Sequence, residues 1–179
     1  MIRLLVVLAL LAVGCDARPG GVTAPPADRE QPLSAALMAA LGEAKSRHHL
    51  ADLHLADGDL DAAAGELRAI LAIPFPAGAL EGEETFLDAR ARLARLEIGR
   101  GRLDEAGRVV AEGLAAAGRD SFFLANLHTV AGELHEARAR SLADADAARA
   151  ERKKAIAAYQ RAIEIDERVQ KALVKEARP

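Results

Sequence analysis

The sequence predicts an all-α protein, a short helical solenoid of about three helix–turn–helix units with irregular spacing. Three observations carry this. Apolar residues make up 51% of the chain but aromatics only 3%, with no Trp and one Tyr, so Ala supplies much of the apolar share. Small contact residues suit helices that approach closely, whereas a β-sandwich wants aromatic and β-branched positions. A pattern of Leu-Ala, a glycine turn and a second Ala-containing run recurs along the chain. Finally, Gly58 and Gly101 stand where a helix needs a left-handed residue in order to turn.

The elements follow in chain order. Met1-Ile2-Arg3 is a short positive region, followed by an apolar run from Leu4 to Val13. Such a run rises only about 15 Å as a helix, roughly half the hydrocarbon core of a bilayer, so a secretory leader fits better than a spanning helix. Ala12-Val13-Gly14-Cys15 follows and contains the single cysteine. It resembles a bacterial lipobox, with Leu11 one place early. The resemblance implies a signal peptide over 1–14, lipidation of Cys15, and a chain held at a bacterial membrane facing the periplasm or the exterior. Two or three acyl chains, at about 0.8 kcal/mol per buried methylene, make a lasting anchor. Residues 15–32 then read as a tether. Pro19, Pro25, Pro26 and Pro32, with Gly20 and Gly21, oppose both helix and ladder, and the stretch could reach roughly 50 Å when extended.

The domain over 33–179 is expected to hold six or seven helices, at 34–57 with an interruption at Gly42, then 60–73, 83–99, 103–117, 121–143, 150–166 and a polar terminal cap at 167–177. Ser34 and Ser121 are candidate N-caps, and Gly118 is expected to end the fourth helix. Three segments align. Leu50-Ala51 leads to Gly58-Asp59 and then Ala63 and Leu67. Leu93-Ala94 leads to Gly101 and then Asp104, Ala106 and Val110. The third segment keeps only the later part, Ala155, Tyr159 and Ala162. The alanines are expected where paired helices cross, with Leu50, Leu67, Leu93, Val110 and Tyr159 filling the gaps between them. Gly58 and Gly101 are separated by extra residues in a loop over 74–83. The third unit lacks a turn glycine and carries a charged insertion, read as a helix that overruns and breaks near Asp144–Asp146.

These segments resemble the tetratricopeptide (TPR) repeat, and the resemblance covers residues 44–166. It implies a right-handed solenoid whose first helices line a peptide-binding groove. The matching groove positions are Lys45, His48, Asp52 and Leu55, then Asp88, Ala91, Arg95 and Ile98, then Ala125, His128, Gly132 and His135. The family's carboxylate-gripping positions hold His48, Asp52, Arg92, Ala125 and Thr129. The acid at Asp52 opposes that mode of binding.

Composition and motif narrow the chemistry. Formal net charge is −3, and loss of residues 1–14 removes Arg3 and no acid, so neither balance suits a nucleic-acid binder. One cysteine excludes an internal disulfide and a four-thiolate zinc site. There is no HExxH, catalytic triad or phosphate-binding glycine loop, so no enzyme activity and no cofactor are expected. The arginines over 90–108 interleave with acids at helical spacing and read as intrahelix pairs on a solvated face. The sequence thus points to a lipid-anchored protein-binding adaptor or scaffold of the bacterial cell envelope. Its partner would be an envelope protein or peptide, met by a groove whose histidines charge as pH falls near 6. The alternative is an envelope lipoprotein that uses the groove histidines for a metal or small ligand.

Overall fold

The structure, a computed structural model, describes residues 34–177. The expected signal peptide, Cys15 and the tether lie outside the described residues. The described chain is all-helical: α1 (Ala35–Ala56), α2 (Leu60–Ile70), α3 (Leu80–Gly99), α4 (Leu103–Ala116), α5 (Phe122–Ser141) and α6 (Ala145–Glu176). No described helix is long and apolar enough to cross a membrane.

The helices pair in order. α1 packs on α2, α3 on α4 and α5 on α6, each pair joined by a three-residue turn. α3 also touches α1, α2 and α5, and α5 touches α4, so successive hairpins lean on one another. The first two turns share one geometry. Gly58 and Gly101 have φ of 78° and 73°. The following amides reach back five residues, Asp59 to the His54 carbonyl at 2.8 Å and Arg102 to the Glu97 carbonyl at 2.9 Å. This satisfies helix-end carbonyls that would otherwise be orphaned. The third turn needs no glycine, because Leu142 and Asp144 are extended and the Asp144 side chain caps Ala147 at 2.6 Å.

Ser34 and Ser121 cap α1 and α5, each accepting at 3.1 Å from the amide three residues on. Several boundaries differ from expectation. Gly42 does not interrupt α1, since its alanine- and leucine-rich neighbours outweigh the roughly 1 kcal/mol a helical glycine costs. The segments expected at 150–166 and 167–177 are one helix that begins at Ala145. That stretch holds no Pro or Gly, and pairs such as Arg161–Glu164 at 3.1 Å and Lys171–Glu167 at 3.6 Å sit along it at helical spacing. Gly118 is not the end of α4, which stops at Ala116, and its amide instead donates to Glu83 at 3.0 Å. α2 ends three residues early and α3 starts three early, because Phe75 folds over Gly82 and stacks edge-on with Phe86 at 5.2 Å.

The aligned alanines 51, 63, 94, 106, 155 and 162 are all buried, as are Leu67, Leu93 and Val110. Small side chains there let the backbones close in, and the larger ones fill what remains. Leu50 departs from this rule. It is 43% exposed, and among the described residues no helix precedes α1 to cover that face.

Candidate functional site

A cleft of about 510 Å³ opens across α1 and α3 and reaches Phe123 at the start of α5. Helix spacing builds it. His48 and Asp52 are one turn apart on α1, Asp88 and Arg92 one turn apart on α3, and both pairs face the gap. Arg92 spans the gap, donating to His48 Nδ1 at 2.8 Å and pairing with Asp52. Since Nδ1 accepts from Arg92, the neutral ring carries its proton on Nε2, which lies 3.5 Å from Asp88. Lys45 and His49 flank the network on α1, and Thr85 with Glu81 and Glu84 extends it along α3. Glu84 is tied to Arg119 beyond α4.

Burial holds the His48 pKa below its ordinary value, and the Arg92 charge lowers it further against the opposing pull of Asp88 and Asp52. The charging expected near pH 6 is therefore displaced downward at this residue. A second rung stands beside the first, where Arg95 grips Glu133 of α5 at 2.9 and 3.1 Å and Asn126 at 3.0 Å. The face thus carries fixed, mutually paired charges beside an exposed phenyl ring, a surface suited to recognition.

The structure brings Lys45, His48, Asp52 and Asp88 together on this cleft. Leu55 is exposed but does not line it, and Ile98 packs against the core. Ala91, Ala125 and Gly132 are buried and present no surface. Neither His135 nor His128 lines the cleft. His135 Nδ1 lies 2.7 Å from Glu151 of α6, and burial lowers the pKa of His128, with the Arg161 charge of α6 adding to it. Gly132 lies directly under the Tyr159 ring of α6. The residues of α5 that reach α3 or the cleft are instead Phe123, Asn126 and Glu133.

Two features escaped sequence reasoning. Arg92, which the resemblance put with His48 and Asp52 at carboxylate-gripping positions, is instead the hub of the cleft, bonded to both of them. The arginines read as intrahelix pairs mostly reach other helices. Arg68 of α2 donates to Glu97 at 2.9 Å, Arg100 and Arg102 lie 3.7 Å from the same carboxylate, and Glu97 is fully buried. Arg100 also pairs with Asp61 and donates to the Leu60 carbonyl at 3.2 Å. Arg108, with Glu105 at 2.5 Å and Glu112 at 3.2 Å, pairs along its own helix as expected, and Arg100 reaches Glu97 one turn back on α3.

Among the described residues no three His, Cys, Asp or Glu side chains gather as a metal site would require. No protein-family model, curated protein or solved structure matches this chain.

Proposed function

We propose that this chain is a lipid-anchored, TPR-type adaptor of the bacterial cell envelope, tethered through Cys15 and binding a segment of an envelope protein along the α1–α3 cleft. The hairpins would then form a right-handed TPR-like solenoid with this cleft on its inner face. One observation carries the binding role. The cleft side chains are pre-set by cross-helix contacts, with Arg92 held by both His48 and Asp52, so a partner meets a surface whose ordering cost has already been met in folding. Phe123 at its end offers an apolar anchor of the kind that dominates interface energies.

The test is site-specific photocrosslinking in cells, with the reactive group at His49 in the cleft and, as a control, at Gly65 on the exposed face of α2. A discrete adduct from position 49 and none from position 65 is expected, and Arg92→Glu should abolish it. Equal capture from both positions, or none from position 49, refutes the cleft. The anchor is tested separately: Cys15→Ser should stop incorporation of labelled palmitate and release the chain from membranes.

A further inference from the structure

Along α3, Glu83, Phe86, Leu87 and Arg90 recur at i, i+3, i+4 and i+7, so they share one face. The cleft residues of the same helix, Glu84, Asp88 and Arg92 among them, fall on the opposite face. The face of Arg90 borders a second cavity of about 400 Å³, lined also by the loop before α3 and by Ala116 at the end of α4. Phe75 of that loop meets Phe86 edge to face, with centroids 5.2 Å apart. With Leu87 these rings make the wall largely apolar.

Arg90 is the one cation on this wall, and packing fixes its place. Its stem lies against Gly113 of α4, where a built Cβ would come within 2.9 Å of Arg90 Cδ. Arg92 and Arg95 of the same helix each hold a carboxylate of a neighbouring helix. Arg90 meets none among the described residues, and its buried Nε has no acceptor. A buried donor without an acceptor destabilises the fold, and a bound acceptor relieves that. The one acid on the wall, Glu83, stands seven residues earlier, about 10 Å along the helix. It already accepts from the Gly118 amide at 3.0 Å.

We propose that this cavity binds a small carboxylate with an apolar body about the size of one aromatic ring. The carboxylate sits on the Arg90 guanidinium and the body lies against Phe75 and Phe86. A carboxylate offers two oxygens to the planar guanidinium. The apolar wall around the pair excludes water and so strengthens it. A neutral apolar molecule would leave Nε unmatched, and a bare anion would leave the rings uncovered. The site shares no residue with the α1–α3 cleft, so this inference stands or falls apart from the adaptor reading.

Titration of the full-length chain with phenylacetate in a mild non-ionic detergent tests it, followed by calorimetry and by proton–nitrogen correlation of the arginine side chains. Saturable binding of one phenylacetate per chain is expected. The Arg90 Nε–H signal, assigned by its loss in Arg90→Gln, should move downfield as its missing acceptor arrives. Phenylacetamide keeps the ring without the charge, and acetate keeps the charge without the ring. Each should bind about tenfold more weakly or worse. Arg90→Gln should weaken phenylacetate binding to the same degree, whereas Arg152→Gln, an exposed control on α6, should not. Ala116 is exposed, so Ala116→Glu spares the fold and should also weaken binding by placing a like charge at the rim. Unchanged helicity by circular dichroism checks folding of each variant. No saturation by either readout overturns the proposal. So does undiminished binding of phenylacetamide or by Arg90→Gln, which marks a purely apolar cavity. Acetate binding as tightly as phenylacetate overturns it too, as a simple anion site.

Discussion

Single glycines in this chain have opposite worth, and the space around each decides the sign. A Cβ built on Gly82 would lie 2.8 Å from both Cβ and Cγ of Phe75, atoms close to the backbone that no rotamer change moves aside. Gly82→Ala must therefore push the Phe75 loop away from α3, and overpacking of this kind costs about 1–3 kcal/mol. Gly42 on α1 has nothing within 4 Å of the same built atom and sits in an ordinary helical turn. There Gly42→Ala should stabilise by roughly 0.5–1 kcal/mol, by removing backbone freedom from the unfolded chain. Urea unfolding of the two variants beside the wild type checks both, and two shifts of the same sign would refute the spatial reading. Nothing in the sequence separates these glycines, since each is flanked by residues that favour a helix.

At the scale of elements, much of the architecture was legible because the rule behind it is local. The glycine turns, the serine caps and the buried alanines each follow from a few adjacent residues, and all stand as read. What failed depended on distance. The positions of α5 that match His48 and Leu55, His128 and His135, have no counterpart cleft among the described residues, and His135 meets Glu151 of α6 instead. Glu97 shows the same limit, since Arg100 and Arg102 follow it within five residues and only the fold brings Arg68 of α2 to join them. Its buried carboxylate links α2, α3 and the turn into α4. Removing the buried carboxylate leaves Arg68, Arg100 and Arg102 without their shared partner, and Arg100, whose side chain is only 8% exposed, keeps only Asp61 and the Leu60 carbonyl. Glu97→Ala should cost about 3–5 kcal/mol. Glu43→Ala, which breaks the exposed Glu43–Arg47 pair on α1, should cost under about 1 kcal/mol. Comparable losses in urea midpoint would show that the cluster is not a joint between hairpins.

For the molecule as a whole, stability should depend on pH through two histidines at the inter-helix seams. His48 and His128 both have pKa values below the ordinary 6.5, in each case mainly through burial and then through an arginine, Arg92 or Arg161. The unfolded chain then takes up these protons more readily than the folded one. Stability is full above about pH 6.5 and falls as pH drops through that value toward the folded pKa. A second decline follows at lower pH. Hydrogen bonds from Arg100, Arg108 and Arg168 hold Asp61, Glu105 and Asp120 below their ordinary values of 3.8 to 4.5, and Lys154 with His135 does the same for Glu151. Those contributions are present above the ordinary carboxylate range and are lost as pH falls through it. The two declines are separable, because His48→Gln with His128→Gln removes the first and leaves the second. Urea midpoints measured between about pH 7.5 and 3 should show a wild-type slope beginning near 6.5 and a double variant that is flat until the carboxylates titrate. A variant that keeps the wild-type slope between 6.5 and 5 would mean that the proton uptake lies elsewhere, and that these seams do not exclude charge as their burial requires.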